Sequence, residues 1–120
     1  MSLVVILDDR ATNRHIFARL AESIEPDVSV RTFEDPVIAI EWLASNTPDI
    51  VITDYKMPNL DGSEFTRRFR ELPGCSDVPV VVITVHDERS FRLSALEAGA
   101  TDFLHSPVDH SEFVTRARTS

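Results

Sequence analysis

An α/β fold on a parallel sheet follows from three features of the 120-residue sequence. Short apolar, β-branched runs alternate five times with amphipathic segments, the central runs lack the period-two alternation of half-exposed strands, and most of the prolines and glycines fall between segments. Strands covered on both faces are continuously apolar in this way, and right-handed crossovers then place helices on both sides of the sheet. A chain of this length forms one domain and buries roughly two-thirds of its extended surface.

The first strand is Leu3-Val4-Val5-Ile6-Leu7. Ile16, Phe17, Leu20, Ala21 and Ile24 recur at steps of three and four and give the first helix its apolar stripe. Residues 28–33 form a second strand, polar enough to flank the sheet. Asp35-Pro36 reads as a cap followed by proline at the first helical position; Ala39, Ile40 and Leu43 make the stripe, and Asn46-Thr47-Pro48 ends it. The third strand is 49–53, the fourth 78–84 and the fifth, again more polar, 101–104. Phe65, Phe69 and Leu72 mark a third helix closed by Pro73-Gly74, and Phe91, Ala95, Leu96 and Ala98 a fourth stopped by Gly99. Asp109 and Glu112 have capping-box spacing ahead of a fifth helix with Phe113, Val114 and Ala117. The run 116–120 reads as a helix that continues into a longer parent protein.

Twenty acidic residues against 12 basic ones give a formal charge of -8, which repels nucleic-acid backbones and acidic lipid surfaces. Cys75 is the one cysteine, in a loop-like Pro-Gly-Cys-Ser stretch, so neither a disulfide framework nor a thiolate metal site is available. No apolar run approaches the roughly 20 residues of a membrane span, and no basic signal segment opens the chain. A cytoplasmic protein is the expectation.

The chemistry gathers at strand ends. The first strand ends in Asp8-Asp9, the third in Asp54 and the fourth in Thr84. Taken singly, each has a structural reading as a turn residue, a cap or a β-former. Central parallel strands would bring them to one rim, where ligands of open α/β sheets collect. Converging carboxylates repel one another and raise one another's pKa unless a cation sits among them. An all-oxygen donor set points to a hard divalent ion, Mg²⁺ by default and Mn²⁺ as a substitute, weakly held and partly hydrated. Asp54 could then act as a nucleophile toward phosphorus and form an aspartyl phosphate. Thr84 could donate its hydroxyl to a phosphoryl oxygen, and Lys56 its charge, although a solvated surface lysine is the competing reading. Met57-Pro58 restricts the loop, and Asp61-Gly62 is read as a tight turn.

Asp8-Asp9, Asp54 with Met57-Pro58 and Asp61-Gly62, Thr84, Ala98-Gly99-Ala100, and Phe103 ahead of Pro107 together resemble the receiver domain of bacterial two-component response regulators, chemotaxis-regulator-like, across residues 3–118. The resemblance implies a flavodoxin-like five-stranded parallel sheet of order 2-1-3-4-5. It implies a single receiver domain over 1–120, a fragment of a longer protein with a C-terminal output domain. Asp54 would be the phosphoacceptor served by a sensor histidine kinase. Asp8, Asp9, Asp54 and the backbone carbonyl of Lys56 would form the Mg²⁺ site, with Asp9 the more direct ligand. Thr84 and Phe103 would be the switch residues, the aromatic turning inward on activation. Lys56, Thr84, the Val85 backbone N–H and Ser106 are the candidates for phosphate contact. The fourth helix, fifth strand and fifth helix would carry the output, through a homodimer. The domain would catalyse its own phosphorylation and slow dephosphorylation, with no conventional substrate turnover.

Two residues depart from the family pattern. Ser106 stands where the family has a lysine before proline, and it supplies no charge; His105 points to the other side of the strand by alternation, which leaves Lys56 as the better substitute. Val85 replaces a small residue and could crowd the crevice. Two outcomes compete: a receiver that is phosphorylated but couples less tightly to switching, or a partly degenerate one that acts as a phosphorylation-independent interaction module. A small hydrolase would need a further acid and a cap over the substrate, and a flavin phosphate would meet the acidic loop 8–13. Arg67, Arg68 and Arg70 read as a solvated face, His15, His86 and His110 as scattered, and Trp42 and Tyr55 as packing residues, Tyr55 beside the entrance to the acceptor.

Overall fold

The computed structural model describes residues 2–25, 27–85, 88–105 and 115. Ser106, Pro107, the predicted fifth helix with its Asp109/Glu112 box apart from Thr115, and His86 and His110 lie outside the described residues. Strands β1 (Leu3–Leu7), β2 (Ser29–Phe33), β3 (Ile50–Thr53), β4 (Val80–Thr84) and β5 (Asp102–His105) alternate with helices α1 (Ala11–Ile24), α2 (Pro36–Leu43), α3 (Gly62–Arg70) and α4 (Arg89–Glu97). All strand pairs are parallel and the order is β2-β1-β3-β4-β5, the predicted flavodoxin-like arrangement.

Side-chain alternation divides the core between the two sheet faces. Val5, Leu7, Val51, Val80, Val82 and Phe103 meet Ala39 and Leu43 of α2, Phe65 and Phe69 of α3, and Ala95 of α4. Val4, Ile6, Ile52, Val81, Ile83 and Leu104 meet Phe17 and Ala21 of α1. Both faces of the central strands are therefore apolar, which is why no alternation marks them in the sequence. The switch in strand order falls between β1 and β3, at whose carboxyl ends Asp8 and Asp54 stand.

The helix ends follow the local chemistry. Asp35 accepts a hydrogen bond from the Val37 N–H (2.8 Å), with Pro36 as the first helical residue. Asp61-Gly62 is not the tight turn expected of it. Asp61 caps α3 by accepting from the Glu64 N–H (2.8 Å), Gly62 begins the helix, and the positive φ of the loop belongs to Asn59 (73°). Ile16 and Leu96, both assigned to apolar stripes, are 48% and 41% exposed. Each sits one residue, or about 100°, from a core position, Phe17 or Ala95, and so swings past the edge of the buried face.

Arg70 also departs from expectation. Arg67 and Arg68 are exposed, but the half-buried Arg70 guanidinium donates to the carbonyls of Gly99 (2.8 and 3.1 Å), Cys75 (2.9 Å) and Val78. It ties the end of α3 to the turns before β4 and β5. Gly99 has φ 110°, and a Cβ there would lie 3.2 Å from the Arg70 side chain, so this turn needs glycine on both counts.

Candidate functional site

Strand register brings the acids together. Leu7 pairs with Thr53, and the ladder runs one residue further, the Asp54 N–H donating to the Leu7 carbonyl (2.9 Å) and the Asp8 N–H to the Phe33 carbonyl (3.1 Å). Asp8 and Asp54 thus leave neighbouring strands at one level. One carboxylate oxygen each from Asp8, Asp9 and Asp54 lies within 4.8 Å of the others. The three differ in setting: Asp8 is 2% exposed, Asp54 half-buried and Asp9 open to solvent. Asp8, Asn13, Asp54, Ile83, Thr84 and Val85 line the cleft between them.

Asp8 is held by its neighbours. Its carboxylate accepts from the Arg10 N–H (2.9 Å) and the Asn13 amide (3.2 Å), while Arg14 on α1 donates to its carbonyl (2.8 Å). Burial nevertheless raises its pKa, those two hydrogen bonds oppose the rise, and the charge of Asp9 adds to it. Asp54 is pushed up to about 6, first by burial and then by the charge on Asp8. The Tyr55 N–H (2.7 Å) and the side chain of Thr84 hydrogen-bond its carboxylate and moderate the shift, and Asp9 adds to it. Three carboxylates in a partly desolvated cleft are mutually destabilising as anions, and a cation relieves that strain.

The donor set fits a hard divalent ion. Among the described residues it consists of carboxylate oxygens at a spacing one ion can bridge, without sulfur or imidazole in the cluster. Asp8, Asp9 and Asp54 are the residues that could hold Mg²⁺, together with backbone carbonyls of the following loop.

That loop is pinned close to Asp54. The Gly62 N–H donates to the Tyr55 carbonyl (2.6 Å), and a Cβ on Gly62 would lie 2.9 Å from the Asp54 carbonyl oxygen and 3.0 Å from Tyr55 Cα. Thr53 donates its hydroxyl to the Asp54 carbonyl (2.9 Å). Glycine at 62 is therefore required by close approach rather than by φ.

Thr84 is buried, with its side chain on the Asp54 carboxylate. Val85 is 45% exposed at the cleft, and a His105 ring nitrogen lies 3.2 Å from its carbonyl. Phe103 is 3% exposed and already inward, its ring edge toward Tyr55 (centroids 6.4 Å, 66°) and the Arg92 guanidinium over its face (5.5 Å). Lys56 is exposed, with its ammonium over the Phe91 ring at 5.4 Å. Tyr55 is buried as expected, stacked on Phe91 (4.4 Å, 15°). Sequence reasoning passed over Asn13, Arg14 and the Tyr55–Phe91 contact. The i+5 and i+6 placement of Asn13 and Arg14 after Asp8, on the first turn of a helix beginning beside the site, was the available signal for the first two.

Five parallel strands in this order, with three carboxylates meeting at the switch point, define a doubly wound α/β domain with an acidic site on its carboxyl rim. A family model described as the response regulator receiver domain matches residues 4–118. The chain belongs to this family.

It is 40% identical over 117 residues to the cyclic di-GMP phosphodiesterase response regulator RpfG of Xanthomonas campestris pv. campestris, covering 98% of this chain and 30% of the relative. It is 36% identical over 118 residues to the response regulator MprA of Mycobacterium avium, covering 98% and 50%. The chain thus spans from under a third to half of these relatives' length. Among solved structures, a two-component response regulator of the LuxR family from Aurantimonas sp. SI85-9A1 superimposes with a TM-score of 0.87 at 29% identity, covering 99% of this chain and 84% of that one. The receiver domain of sensor histidine kinase PA1611 from Pseudomonas aeruginosa PAO1, which has a magnesium ion coordinated in its active site cleft, shares the fold with a TM-score of 0.85 at 23% identity, covering 99% and 98%. Among the described residues no helix is long and apolar enough to cross a membrane.

Proposed function

We propose that this chain is a phosphoacceptor receiver in which Asp54 takes a phosphoryl group from the phosphohistidine of a sensor kinase. The observation that carries the reading is the convergence of Asp8, Asp9 and Asp54 within 4.8 Å at the ends of two adjacent strands. An Asp54 carboxylate oxygen forms the new bond to phosphorus as the P–N bond breaks, and the imidazole leaves with the electron pair. Asp8, Asp9, Asp54 and the Lys56 carbonyl would hold Mg²⁺. That ion, when bound, offsets the negative charge shared by the carboxylates and the phosphoryl oxygens.

The chain's own groups supply the rest. The Tyr55 N–H and the Thr84 side chain, both on the Asp54 carboxylate, orient the nucleophile. The Thr84 hydroxyl then turns to a phosphoryl oxygen, and the Val85 N–H, Lys56 and Ser106 are the further contact candidates. Thr84 and Phe103 serve as the switch, and the α4–β5 face, with the helix predicted after it, passes the signal to a second copy or to a C-terminal output domain. The greater length of the relatives supports such an output domain. The domain acts in the cytoplasm, without binding nucleic acid itself.

Intact-mass analysis after incubation with a small acyl phosphate and Mg²⁺ tests the reading. One acid-stable, base-labile phosphoryl group is expected on the wild type and none on D54N. No added mass, under conditions that modify a related receiver, leaves the phosphorylation-independent interaction module in its place.

A further inference from the structure

The loop that follows the acceptor carries the one lysine in the sequence. The other 11 basic residues are arginines, and Lys56 stands two positions after Asp54. Among the described residues its ammonium makes no ion pair; it rests 5.4 Å from the centroid of the Phe91 ring, at the start of α4. Phe91 is itself braced, stacked on Tyr55 at 4.4 Å and 15°. Tyr55 is fixed at both ends, by its N–H on the Asp54 carboxylate (2.7 Å) and by its hydroxyl, which accepts from Ser63 (3.3 Å), in turn bonded by Ser94 of α4 (2.7 Å).

We propose that Phe91 is a positioning residue for phosphoryl transfer at Asp54: its ring, held by Tyr55, keeps the Lys56 ammonium parked off the acceptor until a phosphoryl group draws it across. The inference rests on the phosphoacceptor reading and assigns the charge that Ser106 does not supply. An exposed cation gains only a few-fold in occupancy from an aromatic face. A phosphoryl group on Asp54, two residues back along the chain, carries about two negative charges and attracts the ammonium more strongly than a ring face does, so its arrival shifts Lys56 toward the acceptor. With a small acyl phosphate as donor, the Asp54 oxygen bonds to phosphorus while the donor's P–O bond breaks, and the departing carboxylate keeps the pair, as the imidazole does with a phosphohistidine donor. No proton moves, and Lys56 meets the charge spread over the phosphoryl oxygens. Its departure uncovers the Phe91 face, so the first turn of α4 senses phosphorylation directly.

Because there is one lysine, selective lysine labelling gives a single ε-methylene signal. In the metal-free wild type it is expected upfield, in the ring current of Phe91, and it should move to the random-coil position when Mg²⁺ and beryllofluoride, a tetrahedral phosphoryl stand-in, are added. In F91L it should start at the random-coil position. Phosphorylation by a small acyl phosphate with Mg²⁺, followed by intact mass, should be about two- to fivefold faster in F91L than in wild type. That gain should disappear in F91L/K56M and persist in F91L/K56R. Amide spectra of each variant check the fold. A wild-type signal already at random coil, or one unmoved by beryllofluoride, overturns the proposal, as does an F91L gain undiminished by K56M. A wild type that takes no phosphoryl group at all sinks the phosphoacceptor reading, and this inference with it; phosphorylation at equal rates in wild type and F91L sinks the inference alone.

Discussion

The two walls of the Asp54 cleft are built by different physics. On the β1 side Asp8 is fixed by directional bonds from Arg10, Asn13 and Arg14, each to a named oxygen. On the α4 side Tyr55, Phe91 and Phe103 meet through ring faces and edges, with Lys56 and Arg92 lying over the rings. Hydrogen bonds to charged groups are short-ranged and strongly oriented, whereas ring contacts and cation–π contacts tolerate sliding and re-pairing. The acidic wall is thus suited to holding a charge in one place and the aromatic wall to changing state. Variants on one wall should leave the other wall's property untouched.

The largest effect is expected where the walls join. Gly62→Ala places a methyl 2.9 Å from the Asp54 carbonyl and forces backbone apart on both sides. It should cost about 2–3 kcal/mol in urea unfolding and weaken Mg²⁺ binding together with the Tyr55 packing. A stability within about 0.5 kcal/mol of wild type would show that the loop is looser than this geometry.

Next comes Asp54→Asn in the metal-free protein. The folded state raises the Asp54 pKa from 3.8 to about 6, so it holds that proton more tightly than the unfolded chain. The acid therefore contributes its full stability below about pH 3.8 and loses it as pH rises through about 6. D54N should accordingly be more stable than wild type by about 1–2 kcal/mol at pH 8, with the gain fading by pH 4. Mg²⁺ should reverse the order by stabilising the wild type selectively. A D54N gain independent of pH would place its origin outside the carboxylate.

The smallest effects separate the walls most cleanly. Asn13→Ala removes one donor to Asp8 and should weaken Mg²⁺ binding by about threefold to tenfold, with little change in stability. Tyr55→Leu should do the converse, losing about 1 kcal/mol of ring contact while Mg²⁺ affinity stays within twofold. Calorimetric titration with Mg²⁺ and urea unfolding on both variants read the difference. Equal losses in both properties would mean that the walls act as one.

How much of this was legible in the sequence follows the same division. The strands, their parallel direction and the acidic rim were readable because continuous β-branched runs report two-sided burial, and because parallel strands bring their carboxyl ends to one edge by construction; the strand order came from the family resemblance. Asp61-Gly62 was misread as a turn, since a capping Asp before a helix-starting Gly looks the same until the Asp54 carbonyl is seen 2.9 Å from the missing Cβ. Arg70 was placed on the solvated face with Arg67 and Arg68. Its long side chain instead curls back to three carbonyls contributed by turns up to 29 residues away, a contact no helical wheel contains. The Tyr55–Phe91 stack escaped for the same reason, because it depends on how α4 sits against the loop after β3. The switch role of Phe103 was assigned by resemblance, not by any pattern in its neighbours.

The most direct test is a carbon-detected titration of the Asp54 side-chain carboxyl, with and without Mg²⁺. Metal-free protein should titrate near 6, pushed there by burial and by Asp8, and Mg²⁺ should drive the midpoint well below that value. A carboxyl that titrates at its ordinary position, or one that Mg²⁺ leaves unmoved, would contradict a shared cation site at the heart of this cleft.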